Sequence, residues 1–497
     1  MASLEDIRHE RLKKLEAMRA AGVDPYPIKV GQDYWLREVV KKFVTLEKKG
    51  KALTVVGRVR ARRGQGAIIF IDLDDGTARL QAVLKRDNAP AGVGAEALAN
   101  FEAWVDVGDF IEVTGTLFVT KKEERSLLVG EWRIISKSLR PLPDKWHGLQ
   151  DIEERFRHRY LDTLMSPEIK QRFLTRSKIV KTVRQILDRS GFLEVETPIL
   201  QPLAGGASAL PFITHHQALD IDMHLRIAPE LYLKELLIGG FPKVYEVSRN
   251  FRNEGIDTTH NPEFTTVEWY ESFSDAAGQR QLVETLVKQT VTKVLGTSTL
   301  IFDGHQIDFS KDFAVVSYFD LLQRHALVVN PESATMEELR LKAQQFGLAV
   351  EPGAGVEKLL DAIYKKTCRP KLIQPTFIVD YPRHYLPLAK RLDGRPNLVD
   401  AFQLIIGGLE LVKAFSELND PVDQRERFME QEKNRAAGDQ EAQPKDEAFL
   451  EALEYGMPPA GGVGLSIDRL TMLLTDSKNI REVILFPTLR PRGPANA

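Results

Sequence analysis

The sequence predicts an α+β protein in which a small β-barrel domain precedes a larger domain of helices and antiparallel strands. Short apolar runs rich in β-branched residues recur between residues 53 and 136, separated by turn residues such as Asp74-Asp75-Gly76, as is typical of a small barrel. A long amphipathic helical pattern begins near residue 166. Two strand-like segments with a charged loop between them follow it between residues 244 and 271.

Composition sets the broad class of the protein. The chain has 497 residues, 43% hydrophobic and 28% charged, which is enough for two or three domains. Lys and Arg total 68 against 70 Asp and Glu, so any nucleic-acid contact must come from local patches. The single Cys368 excludes an internal disulfide and a Cys-rich zinc site, and it fits a reducing compartment. With neither a signal-peptide core nor a long apolar stretch, we expect a cytoplasmic protein that does not contact membranes.

The N-terminal extension, residues 1–50, begins with an amphipathic helix. Its apolar positions alternate with charges and precede the helix-ending Gly22 and the Pro25-Tyr26-Pro27 break: they are Leu4, Ile7, Leu12, Leu15 and Met18. Such a helix either packs on the neighbouring domain or lies along an RNA backbone.

The barrel is predicted for residues 51–143, followed by a linker at residues 144–165 and a large domain at residues 166–497. The strand candidates are TVVGRV, AIIFIDL, ARLQAVL, FIEVTGTL and SLLVGEWRII. The strand pattern stops near Pro141 and Pro143. Ser166 before Pro167 is a typical helix start and opens the large domain.

Residues 244–271 predict an antiparallel hairpin whose returning strand has one polar face. The chain from Val244 runs into a polar loop, and Phe264 begins the return. Strand alternation separates Val267 and Trp269 from a set that makes poor core material and a plausible binding floor: Phe264, Thr266, Glu268 and Tyr270. Arg252 and His260 flank this floor, and a guanidinium suits phosphate oxygens because it gives permanently charged, bidentate donors.

A second element is a glycine-rich strand that passes into a helix, residues 461–474. Glycines let the backbone approach a ligand closely, and Arg469 falls in the first turn of the helix. Alone this pattern also fits a purely structural strand. Together with the hairpin it indicates a ligand site.

These segments resemble the three signature motifs of class II aminoacyl-tRNA synthetases, in the family's order: residues 191–198 (GFLEVETP), 251–255 (FRNEG) and 464–469 (GLSIDR). Further segments resemble lysyl-tRNA synthetases of the bacterial type specifically: residues 204–207 (AGGA), 226–234 (RIAPELYLK), 260–265 (HNPEFT) and 415–420 (FSELND). The resemblance extends from the first helix to the closing residues 486–491 (FPTLRP).

The resemblance implies an OB-fold barrel before a class II catalytic domain, an antiparallel sheet flanked by helices. It implies a ligase that activates L-lysine with ATP as lysyl-adenylate and then esterifies the 3′ end of tRNA(Lys), with Mg²⁺ as cofactor. It also implies a homodimer with an interface around Pro198. Arg252 and Arg469 would be the catalytic residues at the phosphates, and the other implied ATP contacts are Glu254, His260, Asn261, Phe264 and Glu410.

The same resemblance implies the lysine-binding residues. Gly206 and Glu268 would receive the α-amino group, and the side-chain pocket would contain Glu230, Tyr270, Phe415 and Glu417. The pocket is physically reasonable, because a buried ammonium is costly unless carboxylates pair with it. A purely structural alternative is that Glu230 pairs with Lys234 four residues along a helix surface.

Two positions depart from the family pattern. Glu410 retains a metal-binding carboxylate, but Gln403 stands where a second one is usual, and a neutral amide binds Mg²⁺ more weakly. Lys413 stands where an asparagine often contacts the substrate, so we expect its ammonium to point away from the pocket or to face phosphate or carboxylate groups. Simple alternation puts Glu410 and Glu417 on opposite faces of a strand, so a bulge or a bend must lie between them if both serve one site.

The small barrel resembles the anticodon-binding OB-fold of this subclass, a fold that stacks single-stranded bases and hydrogen-bonds their edges. The positions that match the family's anticodon contacts are Arg62, Phe70, Gln81 and Glu131. Phe70 could instead be a barrel core residue.

Three other functions fit parts of the sequence. An aspartyl- or asparaginyl-tRNA synthetase shares both domains but needs a cationic pocket, which Glu230 and Glu417 disfavour. A shorter paralogue that lysylates a protein lacks the barrel. Gln403 and Lys413 motivate the third alternative, a catalytically impaired tRNA-binding paralogue.

Overall fold

The computed structural model describes residues 3–64, 67–86, 93–143, 149–350, 355–436 and 442–492. The chain forms two compact units, Met1–Gly148 and Leu149–Ala497. Residues 144–148 of the predicted linker lie outside the described residues. None of the helices within these ranges combines the length and the apolar character that a bilayer crossing requires.

In the part of the chain that the structure describes, the first unit has three helices and five strands. They are α1 (Leu4–Ala20), α2 (Leu36–Lys49), β1 (Leu53–Arg63), β2 (Ile68–Asp74), β3 (Arg79–Lys85), α3 (Ala95–Trp104), β4 (Phe110–Val119) and β5 (Arg125–Ser136). Ser3 begins α1 with a capping box, in which its hydroxyl accepts from Asp6 N and the Asp6 carboxylate accepts from Ser3 N. The predicted first helix and the five predicted strands are therefore present.

The five strands close into a barrel in the order β1-β2-β3-β5-β4, with β1 paired to β4. Apolar residues alternate into its interior, as Ile69, Ile71 and Leu73 do on β2, where all three are fully buried. A bulge in β1 between Val59 and Ala61 shifts the register against β2. This confirms the predicted N-terminal barrel.

The second unit begins with helices and short strands that precede the central hairpin. They are α4 (Ile152–Arg157), α5 (Arg159–Met165), α6 (Pro167–Arg189), β6 (Leu193–Glu194), β7 (Leu200–Gln201), β8 (Phe212–His216), β9 (Ile221–Leu225), α7 (Glu230–Ile238), β10 (Lys243–Phe251), β11 (Glu263–Ser272) and α8 (Ala276–Leu295). Ser166 precedes α6, with Pro167 at its first position, as predicted.

The remaining elements complete the sheet and surround it. They are β12 (Thr299–Phe302), β13 (His305–Asp308), β14 (Ala314–Ser317), α9 (Tyr318–Leu321), a π-helical turn (Leu322–Ala326), α10 (Met336–Gln345), α11 (Val356–Thr367), β15 (Thr376–Val379), β16 (Tyr381–Pro382), β17 (Arg391–Leu392), β18 (Arg395–Val399), β19 (Ala401–Ile406), β20 (Leu409–Ser416), α12 (Pro421–Ala436), α13 (Glu447–Glu454), β21 (Ala460–Ser466) and α14 (Ile467–Leu474). Short 3₁₀ turns lie at Pro331–Ser333, Arg369–Lys371, Arg383–Tyr385 and Ile480–Glu482.

An eight-stranded sheet organises the second unit, in the order β14-β15-β19-β20-β21-β11-β10-β6. Its pairings from β15 to β10 are antiparallel, and the pairs at the two edges are parallel. One face packs apolar side chains such as Val267, Trp269 and Leu465 against α6 and α8. The opposite face is therefore the one left to carry polar groups. This is the predicted antiparallel sheet flanked by helices.

The bulge required by the sequence lies between β19 and β20. Leu404 pairs with Val412, but the next residue, Ile405, pairs with Glu410, so Leu411 is the extra residue. The shift places Glu410 on the face that carries Lys413, whose cross-strand partner is Gln403.

Residues 152–165, part of the segment interpreted from sequence as a linker, form the short helices α4 and α5. Arg159 connects them to the end of the chain, because its guanidinium donates to the carbonyls of Leu485 and Arg481 and pairs with Asp162 at 2.7 Å. Helices of six and seven residues show too few turns for an apolar period to be recognised, and their main contacts are distant in sequence.

Candidate active site

The hairpin β10–β11 forms the floor of a cleft on the polar face of the sheet. Glu246 faces Glu268 and Asn250 faces Phe264 across the two strands. Thr266 and Glu268 lie on one face, where the Thr266 hydroxyl donates to Glu268 Oε1 at 3.1 Å. Trp269 is fully buried on the other face. The predicted separation of the two faces is therefore observed.

Two rows of residues continue this floor across the neighbouring strands. One row runs through Glu268, Gly464, Lys413 and Gln403, and the next through Tyr270, Gly462 and Phe415. A Cβ at position 462 would overlap Glu417 Oε1 and the Tyr270 ring. The glycine-rich strand therefore lets a carboxylate and a phenol lie directly over the backbone.

Two carboxylates from distant parts of the chain meet at one buried ammonium. Glu230 begins α7, and Glu417 follows β20. Lys234 Nζ lies 2.8 Å from Glu230 Oε1 and 2.5 Å from Glu417 Oε2. All three residues are buried. The pair of Glu230 and Lys234 considered from sequence does exist, but it lies inside the protein and includes Glu417, so the helix-surface interpretation is wrong.

Glu417 keeps one oxygen available for a ligand. Its Oε1 is buried and accepts no hydrogen bond from the residues that the structure describes. Burial, together with the negative charges of Glu230 and Glu268, raises the pKa of the Glu417 carboxyl to about 8, although Lys234 opposes the shift. An unpaired buried carboxylate of this kind is costly unless a cation binds it.

Glu268 is the third acidic group of the cleft. Burial and the charge of Glu230 raise its pKa to about 7, and the hydrogen bond from Thr266 opposes the rise. Burial and the three neighbouring carboxylates raise the pKa of Tyr270 well above its usual value, so its hydroxyl stays protonated and can donate. Gly206 lies beside this group with φ +85°, and a Cβ there would be 3.0 Å from Glu230 Cβ.

Arg252 lies at the other end of the floor, where the hairpin becomes a loop. Its Cζ is 5.0 Å from the centre of the Phe264 ring, which orients the guanidinium plane. The Nε of Arg252 and the Oδ1 of Asn261 are buried and have no hydrogen-bond partner within the described ranges. Desolvation lowers the pKa of Arg252, although the nearby carboxylate of Glu254 opposes the shift. A free buried donor of this type is suited to an anion.

Arg469, in the first turn of α14, joins three elements of the cleft. Its Nη1 donates to the Glu410 carbonyl at 2.9 Å, and its Nη2 lies 3.2 Å from His260 Nε2. His260 Nδ1 lies 2.8 Å from Asp257 Oδ2. Although partial burial opposes the shift, hydrogen bonds from Thr259 and His260 lower the pKa of Asp257 to about 2. Asp257 thus stays ionised and orients the imidazole toward Arg469.

The candidate metal ligands are few. Although burial raises the pKa of Glu410, Arg469 and Lys413 lower it below the usual value, so the carboxylate is ionised. Gln403 Oε1 accepts from Tyr381 OH at 2.9 Å. Within the described ranges no group of three or more His, Cys, Asp or Glu residues is arranged to hold a metal. Glu410 is thus an ionised carboxylate available to a metal ion, and the Gln403 amide lies on the neighbouring strand.

Pro198 lies outside the cleft on an exposed stretch of chain. Leu193, Ile199 and Leu200 beside it are 51%, 43% and 44% exposed. The buried pair of Arg226 and Glu246, 2.6 Å apart, holds the backbone here through Thr197.

Several positioning residues were not predicted. The sequence indicated Lys234 only as a surface partner of Glu230, and it predicted no role for Glu246 or Asn250. Asn250 Nδ2 donates to Thr266 Oγ1 at 2.9 Å and so supports the floor. The alternation of Glu246, Ser248 and Asn250 along β10 was a usable signal, because it puts polar groups on the same face as Glu268.

The four predicted anticodon contacts do not share one environment. Phe70 and Gln81 lie on the outer face of the barrel, where Gln81 Nε2 donates to Ser126 Oγ at 2.8 Å. Arg62 Nη1 donates to the carbonyls of Glu102 and Val105 at the end of α3. Glu131 is exposed and pairs across strands with Thr114. Phe70 is half-buried, between Ile69 and Ile71 that point inward, so it is not a core residue.

The fold and the cleft define a class II aminoacyl-tRNA synthetase with a nucleic-acid-binding barrel. The model of class II tRNA synthetases (D, K and N) matches residues 151–490, and the model of the OB-fold nucleic acid binding domain matches residues 53–135.

Individual relatives show which family within this class the chain resembles. A lysine--tRNA ligase of Carboxydothermus hydrogenoformans is 45% identical over 98% of this chain and 99% of its own length. A lysine--tRNA ligase of Roseiflexus sp. (strain RS-1) is 47% identical over 98% and 99%, and one of Gloeobacter violaceus is 46% identical over 98% and 99%. The chain therefore belongs to the lysine--tRNA ligase family.

Proposed function

We propose that this chain activates L-lysine with ATP and transfers it to tRNA(Lys), using the cleft on the polar face of the sheet. The observation that carries the proposal is the convergence of Glu230, Glu268 and Glu417 beside two arginines, Arg252 and Arg469. The carboxylates suit a substrate with two ammonium groups, and the arginines suit a triphosphate.

The side-chain ammonium of lysine binds at Glu417 Oε1, which is buried and free, with Glu230 nearby and Tyr270 donating or accepting a hydrogen bond. Phe415 provides an apolar wall, since its ring already lies 5.5 Å from Lys234 Nζ. Glutamine, leucine or methionine would leave the carboxylate unpaired, which costs about 3–5 kcal/mol for a buried charge. A pocket with this charge also disfavours the side-chain carboxylate of aspartate.

The α-amino group binds at Glu268 and the Gly206 backbone. Gly206 approaches Glu230 so closely that a side chain there would crowd the acidic group. Glu268 lies one row nearer to Arg252 than Tyr270 does, so the substrate carboxylate points toward the phosphate-binding end. The order of the residues along β11 thereby orients lysine for reaction.

ATP binds with its α-phosphate on Arg252 and its γ-phosphate on Arg469 and His260. Phe264 stacks on adenine, and Glu254 and Asn261 complete the nucleotide contacts. Glu410 would hold Mg²⁺, with Gln403 as a weak neutral neighbour, and the ion would neutralise charge on the leaving pyrophosphate. Lys413 adds a fixed positive charge on the same row of the floor.

Activation is an in-line displacement. A lysine carboxylate oxygen bonds to the α-phosphorus, and the bond to the bridging oxygen of pyrophosphate breaks. Because the nucleophile is already ionised, this chain's residues act by positioning and charge stabilisation and need no general base. In the second step the terminal hydroxyl of tRNA attacks the carbonyl carbon of the adenylate, and AMP leaves.

The barrel binds the anticodon, with Phe70 stacking on a base and Arg62, Gln81 and Glu131 reading base edges. Two copies associate through the exposed apolar surface around Pro198. The domains of this proposal are residues 1–50, 51–143 and 166–497, with the linker at 144–165. A protein that charges tRNA for translation works in the cytoplasm, which we propose as its location.

Amino-acid-dependent exchange between ATP and pyrophosphate tests the proposal directly. We expect exchange with lysine and only background exchange with the other standard amino acids. Exchange with aspartate or asparagine but not with lysine would overturn the assignment. Binding of tRNA(Lys) without any exchange would instead indicate the catalytically impaired paralogue.

A further inference from the structure

Lys234 is a fully buried ammonium that sits at the carboxylates proposed to bind substrate. Its Nζ contacts Glu230 Oε1 at 2.8 Å and Glu417 Oε2 at 2.5 Å, and it lies 5.5 and 5.9 Å from the centres of the Phe415 and Phe449 rings. Such a residue is not needed to bind nucleotide, and its side chain is completely inaccessible to solvent. The proposed substrate contacts alone do not account for a buried lysine at this position.

When both carboxylates are ionised, which for Glu417 requires a pH above its pKa of about 8, the three side chains form a cluster with a net charge of one negative unit. Two carboxylates at this site without a cation would repel each other, and one would take up a proton. With Lys234 present, one carboxylate charge is compensated and one remains. Glu417 Oε1, which has no hydrogen-bond partner within the described ranges, turns away from Lys234 toward Gly462 and Tyr270. The cluster is therefore matched to a single added positive charge.

Lys234 also borders an apolar cluster. Its Nζ lies 5.9 Å from the centre of the Phe449 ring, and Phe449 packs in one cluster with Phe428 and Leu453. A cationic side chain longer than that of lysine would have to displace this ammonium or approach it closely, and like charges repel strongly where water is excluded.

We propose that Lys234 is a positioning and specificity residue: it holds Glu230 and Glu417 apart at a net charge of −1 and blocks cationic side chains longer than that of lysine. This inference rests on the proposed lysine-binding role of Glu417. It differs from a purely structural ion pair in that it predicts changes in amino-acid use without changes in ATP use.

The first test compares K234M with K288M. Lys288 is a matched control, because it also pairs with a glutamate four residues earlier, Glu284 at 2.6 Å, and lies 5.3 Å from the Phe313 ring centre. In pyrophosphate exchange we expect K234M to raise the KM for lysine at least about tenfold and to leave the KM for ATP within about twofold. K288M should leave both unchanged. A K234M variant with wild-type KM for lysine would overturn the proposal.

The second test uses K234A, which opens space beside Glu230 and Glu417. We expect measurable exchange with arginine or homoarginine, which the wild type lacks, and partial recovery of lysine exchange on addition of ethylammonium chloride. Neither effect should occur with K288A. Absence of both effects in a folded K234A protein contradicts the blocking role.

A charge-balanced variant keeps the proposal testable if K234M and K234A do not fold. In E417Q the Glu230 and Lys234 charges cancel, so no negative charge remains for substrate, whereas K234M/E417Q restores a net charge of −1. We therefore expect the double variant to use lysine about five- to tenfold better than E417Q. If the losses of lysine use caused by K234M and by E417Q simply multiply in the double variant, the proposal is overturned. Failure of the proposed function itself would be distinct, because the wild type would then show no lysine exchange.

Discussion

The polar side chains of the catalytic cleft and those of the barrel surface differ in what they contact. In the cleft, Glu417 Oε1 and Arg252 Nε are buried without hydrogen-bond partners in the described part of the chain. On the barrel, Arg62 donates to carbonyls of the α3 end and Gln81 donates to Ser126. The unpaired charges of the cleft are available to a ligand, whereas the proposed base contacts of Arg62 and Gln81 would have to replace internal hydrogen bonds.

This difference has an energetic consequence. A desolvated charge without a partner is costly in the free protein, so its ligand recovers a large free energy on binding. A group that already has a partner gains little by changing it, because the net value of one hydrogen bond is about 1 kcal/mol. We therefore expect substitutions in the cleft to have larger effects than substitutions on the barrel.

The largest effect is expected for R252A. It removes the guanidinium that we propose binds the reacting phosphate, so lysine-dependent exchange should fall by about 10²- to 10³-fold. Binding of tRNA(Lys), measured by filter retention, should be nearly unchanged because the barrel is a separate compact unit. Equal losses of lysine-dependent exchange and of tRNA(Lys) binding would contradict the proposal that the two units carry these two functions separately.

The second largest effect is expected for E417Q. It removes the carboxylate charge that we propose binds the substrate ammonium, so kcat/KM for lysine should drop by about 10²-fold while the KM for ATP changes little. Initial rates at saturating concentrations of the other substrate separate the two constants. Equal losses for lysine and ATP would argue against a role in binding the lysine side chain.

The third effect in size is expected in the pH dependence of kcat/KM for lysine, which depends on the carboxyl groups of the cleft. The Glu417 carboxyl has a pKa of about 8 and that of Glu268 about 7 in the free protein. Only the ionised carboxylates attract an ammonium, so kcat/KM for lysine should rise at least about tenfold from about pH 6.5 to about pH 8.5. The upper inflection should disappear in E417Q. A flat lysine profile over this range would contradict the assignment of the carboxylates.

On the barrel, F70A is expected to act on tRNA alone. Loss of one stacking ring costs about 1–3 kcal/mol, so the KM for tRNA(Lys) in aminoacylation should rise by about tenfold or more. Pyrophosphate exchange should be unaffected. Val119 is exposed at the end of β4, and V119A serves as a control for loss of an apolar barrel side chain. Equal increases of the KM for tRNA(Lys) in F70A and V119A would contradict a stacking role for Phe70.

The smallest effect is expected for Q403E. A second carboxylate beside Glu410 should lower the Mg²⁺ concentration that gives half-maximal exchange by about three- to tenfold. Tyr381 can still donate to the new carboxylate, so the local hydrogen bond is kept. An unchanged Mg²⁺ requirement would show that position 403 does not face the metal.

Much of the cleft could be predicted because its signals are local. The alternation of Phe264, Thr266, Glu268 and Tyr270 determines which side chains share a face. The glycines of β21 were recognisable as places of close approach. The position of Glu410 was harder, because the extra residue Leu411 changes the face on which it lies, and the sequence shows only that some irregularity is required.

The environment of Lys234 could not be predicted from its neighbours. On a helix its spacing from Glu230 indicates a surface ion pair. Only the packing of α7 against α13 and the chain after β20 makes it a buried centre between two carboxylates. Burial makes the electrostatic interaction between Glu230 and Lys234 stronger than on a helix surface, because solvent no longer screens the charges.

By itself the sequence determined the two-part architecture, the family and the set of polar residues available for chemistry, because strand periodicity, turns and motifs act over a few residues. Tertiary structure alone decided which of these groups meet, which are buried and which atoms remain unpaired. Those properties depend on contacts between segments almost two hundred residues apart, such as Glu230 and Glu417 at one ammonium, and local periodicity carries no information about them.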